Sequence, residues 1–190
     1  MRRLWWTGLP VALFLVSCGQ VPRLSWPASV ASIDASTDAR AAIVDTIEKF
    51  NSHLGSTELA MTAGTGSPIT IKIVDSFTSV PSGSGSHVDY AYISQPATRG
   101  SARAVTGSTR IAGRAMLQVG KCSIELGSFL FTSTASKDLA YAVTQHEIGH
   151  CAGLLHTPDS NRVMSPITVP TYSQEEWKRH FAAVLSAIRG

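Results

Sequence analysis

Two stretches of the chain carry apolar residues at helical spacing. Between Ala39 and Phe50 they recur every three or four positions, which predicts a helix over residues 37–51. Near the C-terminus, residues 173–176 read SQEE, the pattern of a capping box. The apolar residues behind this box predict a final helix that ends near residue 188. Each helix has one apolar face, so each is expected to pack against other elements.

Between these helices the pattern changes to alternation, which is typical of half-buried strands. Residues 68–74 read PITIKIV, with three isoleucines separated by polar residues. Further strand candidates are Val88–Ile93, Arg110–Val119 and Ser123–Leu126. A helix is then predicted over about residues 137–152. Helices and strands mixed in this way predict one α/β (α+β) domain over residues 36–190, built around a mixed sheet.

The third helix carries the motif with the clearest chemistry, HEIGHCAGLLH. His146 and His150 are four residues apart, so they lie on one helical face and can bind one ion. Glu147 lies beside them, within reach of a metal-bound water. Gly153 permits the left-handed turn that ends a helix, and the chain can then return with His156. Three neutral imidazoles leave the fourth position of a tetrahedral zinc ion open, as in catalytic sites.

A methionine follows this motif at short distance. Met164 comes eight residues after His156, and Pro166 lies two residues further on. The three histidines and this methionine resemble the metzincin clan of zinc endopeptidases, and within it the matrixins. Thr157 departs from the matrixin pattern, which usually has Ser there. The resemblance is close over residues 137–190. It implies one catalytic zinc ion, with Met164 as a hydrophobic floor beneath it.

The resemblance also implies where a substrate binds. The last strand before the metal-binding helix borders the cleft, and a peptide could add to its edge through main-chain hydrogen bonds. Arg110–Val119 and Cys122–Leu126 are both candidates for this strand. His87 and Asp89 are similar to part of a structural-zinc loop, but the further histidines of such a site are missing. We therefore interpret His87 as a solvated loop residue, and the sequence supports neither a second zinc nor a structural calcium.

The N-terminus has the pattern of a lipoprotein signal peptide. Arg2 and Arg3 precede an apolar run that ends in LVSC at residues 15–18. Residues 1–17 are predicted to be removed, and Cys18 to be lipidated; a plain secretory signal is the alternative. Residues 18–35, with their prolines and serines, are interpreted as a tether. These features predict an exported protein anchored by lipid in a bacterial cell envelope, at the outer membrane if the cell is Gram-negative.

The net charge bears on the kind of partner that the protein binds, and the cysteines bear on its covalent structure. The formal net charge of +3 falls to +1 without Arg2 and Arg3, which gives no reason to expect a nucleic-acid partner. The chain is expected to be a monomer. In an exported protein, Cys122 and Cys151 can form a disulfide or remain two buried thiols, and the sequence leaves both open.

Three functions are compatible with these features. The leading one is a zinc-dependent endopeptidase that acts on protein or peptide substrates, with Glu147 as general base. The second is a non-hydrolytic zinc-binding lipoprotein of the envelope. The third is an amidase acting on peptidoglycan cross-links. The glutamate beside the first histidine favours an enzyme, because a structural metal site needs no base.

Overall fold

Six strands and three helices form the described part of the chain. The computed structural model describes residues 24–64, 68–80, 87–94, 109–132 and 137–190. The strands are β1 (Ser29–Asp34), β2 (Thr62–Ala63), β3 (Ile69–Val74), β4 (His87–Ser94), β5 (Thr109–Gln118) and β6 (Lys121–Gly127). The helices are α1 (Thr37–Leu54), α2 (Lys137–Cys151) and α3 (Gln174–Arg189), with a 3-10 turn at Ser128–Phe131. Residues 1–17 and Cys18, on which the signal-peptide and lipidation predictions rest, lie outside the described residues.

The strands form one mixed sheet in the order β2-β1-β3-β6-β5-β4. β1, β2, β3 and β6 run parallel, whereas β5 is antiparallel to both of its neighbours. Ile71 of β3 pairs with Ile124 of β6, and both side chains are fully buried. The mixed sheet and the three helices confirm the α/β (α+β) class. Among the described residues, no helix is long and apolar enough to cross a membrane.

The helices begin where the sequence predicts, and α1 continues to Leu54, three residues beyond its predicted end. The hydroxyl of Ser36 accepts a hydrogen bond from Ala39 N at the start of α1, and Gly55 ends that helix at φ +67°. Ser173 caps α3 in the same way, with Glu176 N as the donor. The two helices meet where Phe50 and Phe181 pack edge to face, with ring centroids 5.8 Å apart. Their apolar faces therefore belong to one core.

The interpretation of residues 18–35 as a tether is wrong for residues 24–35. Residues 29–34 form β1, which lies inside the sheet between β2 and β3. Leu24 and Val30 are buried in the core, and Trp26 stacks on Phe50 with ring centroids 6.1 Å apart. The prolines and serines around this segment are typical of a linker, and the apolar pattern of the strand is too short to be recognised among them. The folded domain therefore begins before residue 36.

The two strands proposed to border the cleft are both internal. β6 pairs with β3 and β5, and β5 pairs with β6 and β4 along both of its edges. The expectation that a peptide adds to the edge of Arg110–Val119 or Cys122–Leu126 is therefore wrong for this arrangement. β4 takes the edge position instead. It is the last strand in the sheet order and pairs with β5 from His87 to Ser94.

A disulfide joins the sheet to the metal-binding helix. Cys122 at the start of β6 and Cys151 at the end of α2 are bonded, and both are buried. Of the two alternatives that the sequence leaves open, the structure has the disulfide. The bond holds the C-terminal end of α2, where His150 lies, against the sheet.

Replacing both cysteines by serine is expected to lower the free energy of unfolding by about 3–4 kcal/mol. The bond closes a loop with a sequence separation of 29 residues, and such a closure removes about that much entropy from the unfolded chain. Urea denaturation of the oxidised protein and the double variant measures the difference. Each single serine variant breaks the same cross-link, so each should be destabilised comparably. Unchanged unfolding midpoints in all three variants would contradict the cross-link.

Candidate metal centre

The end of α2 sets the direction of the chain after the second histidine. Gly153 has a φ of +93°, and its N–H donates to the carbonyl of His150. Leu154 N donates to the carbonyl of Gly149, which completes a Schellman motif. The predicted glycine stop is therefore confirmed. It turns the chain back along α2 and brings His156 to the two helical histidines.

The three predicted metal ligands converge on one point. His150 Nε2 lies 2.9 Å from His146 Nε2 and 3.2 Å from His156 Nε2. His146 Nε2 and His156 Nε2 are 3.1 Å apart. Nitrogen ligands of a tetrahedral zinc ion, with bonds of roughly 2.0–2.1 Å, are separated by roughly 3.3 Å. The three Nε2 atoms thus form a triangle of nearly the size that one ion requires.

Hydrogen bonds at the opposite side of two rings fix which nitrogen carries the proton. His146 Nδ1 lies 2.7 Å from the carbonyl of Val163, and His150 Nδ1 lies 2.8 Å from the carbonyl of Leu154. A carbonyl oxygen can only accept, so each Nδ1 is the donor and each Nε2 presents a lone pair. Two buried lone pairs facing each other at 2.9 Å repel. A cation bound between them removes that repulsion.

The two helical histidines are also in the protonation state that binds metal. Burial, together with a smaller effect of the neighbouring His150, lowers the pKa of His146 to about 3. Burial likewise lowers the pKa of His150 to about 3, against the effect of its bond to the carbonyl of Leu154. Both rings are therefore neutral at pH 7, as metal ligands must be. Neutral imidazoles suit zinc and other first-row transition metals.

Met164 packs beneath the metal-binding turn of α2. A Cβ atom on Gly149 would come within 2.5 Å of Met164 Sδ, so the thioether lies directly against the helix backbone. The carbonyl of Met164 accepts a hydrogen bond from Thr157 N, just after the third histidine. Met164 is 7% exposed. It supports the loop that carries His156 and the helix that carries the other two ligands.

Glu147 is completely buried beside the metal ligands. Its Oε1 accepts a hydrogen bond of 3.2 Å from Ala91 N on β4, and its Oε2 has no hydrogen-bond partner among the described residues. A Cβ on Gly113 of β5 would lie 2.5 Å from Oε1, so glycine is needed there. Burial raises the pKa of Glu147 well above its usual value. The hydrogen bond from Ala91 N lowers this pKa, and the nearby Asp89 raises it.

Strand β4 adds two side chains that the sequence did not assign to this site. Asp89 Oδ2 lies 3.4 Å from His150 Nδ1, and Asp89 Oδ1 lies 3.8 Å from His156 Nδ1. His87 Nε2 lies 2.7 Å from Asp89 Oδ2. The interpretation of His87 as a solvated loop residue is therefore wrong, since it lies in a strand and is half-buried. Alternation places His87, Asp89 and Ala91 on one face, but the sequence could not show which element that face meets.

His180 of α3 is buried behind the metal ligands. It is 3% exposed, and its Cε1 would lie 3.2 Å from a Cβ on Gly149. Burial lowers the pKa of His180 to about 3, with a smaller effect of His146 in the same direction. The ring is therefore neutral in the folded protein and packs as part of the core.

Without metal, the protein is expected to lose stability as the pH falls below 6.5. His146, His150 and His180 have a pKa of about 3 when folded, against a usual value of 6.5. Below pH 6.5 the unfolded chain therefore binds more protons than the folded one. Stability is fully present above that pH and is lost by roughly 1 kcal/mol per pH unit for each histidine as the pH falls toward 3. Urea midpoints between pH 7.5 and 5.5, measured with a chelator, test this loss.

A single replacement gives the control. His180→Gln removes one of the buried titrating groups and should make the loss of stability with falling pH less steep. His53→Gln, at an exposed histidine of α1, is the matched control for the replacement itself. Equal slopes for His180→Gln and the parent protein would contradict the burial of His180.

No model of a known protein family matches this chain, and no curated protein matches it. The site itself is therefore the basis for an assignment. It is a HEXXH-like set of three histidines, His146, His150 and His156, close together on an α/β fold and compatible with zinc or another metal.

Proposed function

We propose that this protein is a zinc-dependent endopeptidase of the metzincin clan, similar to the matrixins. The observation that carries the proposal is the triangle of Nε2 atoms, 2.9–3.2 Å apart, with the carboxylate of Glu147 on the same turn of α2. Met164 beneath Gly149 supports the family assignment. Glu147 supports hydrolysis, because a site that only holds a metal has no use for a base there.

The residues divide the reaction between them. His146, His150 and His156 would hold the zinc ion. When bound, such an ion acidifies a coordinated water and polarises the peptide carbonyl. Glu147 accepts a proton from the attacking water and gives a proton to the leaving nitrogen, so that one C–O bond forms as one C–N bond breaks. The carbonyls of Val163 and Leu154 keep His146 and His150 in the tautomer that this role needs.

The proposal extends to the location and the partners. Cys18 is the lipidated residue, and the chain is exported, anchored in a bacterial envelope and monomeric. Its substrates are proteins or peptides within reach of the membrane surface. The features that support this part are those of residues 1–18 in the sequence, where a basic start and an apolar run precede LVSC.

One observation favours the second function, a zinc-binding lipoprotein without hydrolytic activity. Glu147 is fully buried, and the N–H of Ala91 occupies one of its oxygens. A base that water and substrate never reach cannot act. The two functions differ in cleavage and agree in zinc binding, so both must be measured.

The test compares the full chain with variants at two histidines. We expect the parent protein to bind one zinc ion per chain and to cleave casein until a chelator is added. His150→Ala should lose zinc and cleavage together, whereas His53→Ala, at a histidine far along the chain, should keep both. Zinc bound without any cleavage would favour the non-hydrolytic lipoprotein. A folded parent protein without zinc would contradict both functions.

A further inference from the structure

In front of the metal centre, β4 has hydrogen-bonding neighbours on both sides, along its whole length on one side and at Tyr92 on the other. On one side it pairs with β5 from His87 to Ser94. On the other side Tyr92 N donates to the carbonyl of Pro166, and Thr168 N donates to the carbonyl of Tyr92, both at 2.7 Å. β4 thus lies between an antiparallel neighbour and a parallel one. Such a place offers main-chain donors and acceptors to any extended peptide.

The inward face of β4 covers Glu147, the proposed general base. Ala91 is fully buried against α2, and its N–H donates to Glu147 Oε1. Two residues earlier, Asp89 lies against His150 and His156. As a result the side chain of Glu147 is 0% exposed. A peptide cannot contact this carboxylate while β4 remains in place.

We propose that β4 is an internal peptide ligand of the metal centre. Residues 87–94 occupy the strand position that an extended peptide substrate takes between β5 and residues 166–168, and a substrate enters when β4 leaves. This proposal rests on the proposed endopeptidase function. It adds a way in which the activity is regulated, because β4 blocks the substrate until it leaves. It also explains why β4 covers the edge of β5, a strand that the sequence makes a candidate for binding substrate.

The limited burial of β4 favours this exchange. Of its eight residues, Ala91 alone is fully buried, and a β-bulge interrupts its register with β5 between Ala91 and Tyr92. β4 has fewer fully buried residues than β5 or β6, so its departure exposes less apolar surface than theirs would. The main-chain hydrogen bonds that β4 gives up are made again by the substrate strand.

A buried oxygen without a partner favours a readily exchanged strand. With β4 in place, Oε1 of Glu147 has one hydrogen bond, from Ala91 N, and Oε2 has no hydrogen-bond partner among the described residues. When β4 leaves, water can reach Oε2 and donate a hydrogen bond to it. The apparent affinity for substrate is then reduced by the fraction of molecules in which β4 has left.

A disulfide that locks β4 tests the proposal. Tyr92 and Ile167 are paired residues of parallel segments, whose Cα atoms lie roughly 5 Å apart, within the range of a disulfide. We would oxidise Tyr92→Cys/Ile167→Cys with diamide and measure zinc content, casein cleavage and binding of a fluorescent peptide hydroxamate. The locked protein should keep its zinc and lose at least tenfold in both binding and cleavage. The two single cysteine variants, treated with diamide, are the matched controls.

A release variant gives the opposite result. Tyr92→Pro removes the N–H that donates to Pro166, and should raise hydroxamate binding, cleavage and hydrogen exchange of residues 87–94 by several fold. The locked pair remains decisive if this variant fails to fold. Binding and cleavage equal to those of the single variants in the locked protein would overturn the proposal and leave the endopeptidase intact. Lock-sensitive binding without cleavage by any variant would support the strand exchange and overturn the endopeptidase.

Discussion

Glu147→Gln is expected to lower the rate of peptide hydrolysis by about 10²- to 10⁴-fold, the usual contribution of a general base. Glutamine has the size of glutamate, and its oxygen can still accept the hydrogen bond from Ala91 N. It cannot accept the proton of the attacking water. Zinc content should remain one ion per chain, because Glu147 is not among the three converging ligands. Cleavage of casein and metal analysis of the same samples measure both.

The same replacement should raise the thermal stability of the protein at neutral pH. The folded pKa of Glu147 is raised by burial, so its contribution to stability is present at low pH and is lost as the pH rises. Removing the charge recovers that loss. Glu48→Gln, at an exposed residue of α1, is the control and should change neither activity nor melting temperature. Full hydrolysis by Glu147→Gln would exclude Glu147 as the base.

Zinc at a thousand times its dissociation constant is expected to raise the free energy of unfolding by about 4 kcal/mol. The three Nε2 atoms are brought within 3.2 Å of one another in the folded protein, whereas the unfolded chain holds them apart. Zinc therefore binds the folded state in preference. Thermal unfolding with buffered zinc, and again after chelation, measures this stabilisation.

Variants at the ligands determine where that zinc is bound. His146→Ala should show no zinc-dependent stabilisation, because two imidazoles remain and the site is open to water. His53→Ala should retain the full effect, since His53 is not one of the three converging ligands. Equal stabilisation of His146→Ala and the parent protein would place the ion at other residues. The difference between the two variants is independent of catalytic activity.

The metal ligands could be predicted because their placement is mostly local. Helical spacing puts His146 and His150 on one face, and Gly153 provides the turn that brings His156 back after a few residues. The cap residue Ser173 was predictable for the same reason, since its hydroxyl accepts a hydrogen bond from the backbone N–H three residues along. Short-range geometry leaves few alternatives in such cases.

The neighbours of the site depend on pairing between distant segments. Asp89 reaches His150 across the fold, and Ala91 N reaches Glu147 across 56 residues of chain. An alternating pattern indicates that β4 has two faces, but not which strand it joins. The same limit explains the error in residues 24–35, where the short strand β1 depends on β2 and β3 for its hydrogen bonds.

The sequence by itself determined the fold class, the starts of the helices and the three histidines that can hold a metal, because periodicity and capping act over a few residues. Tertiary structure decided the Cys122–Cys151 bond, the burial of Glu147 and the position of β4 over the metal centre. These features arise from main-chain pairing and close packing between segments far apart in the chain. Their energies depend on which surfaces meet, and sequence spacing does not encode that choice.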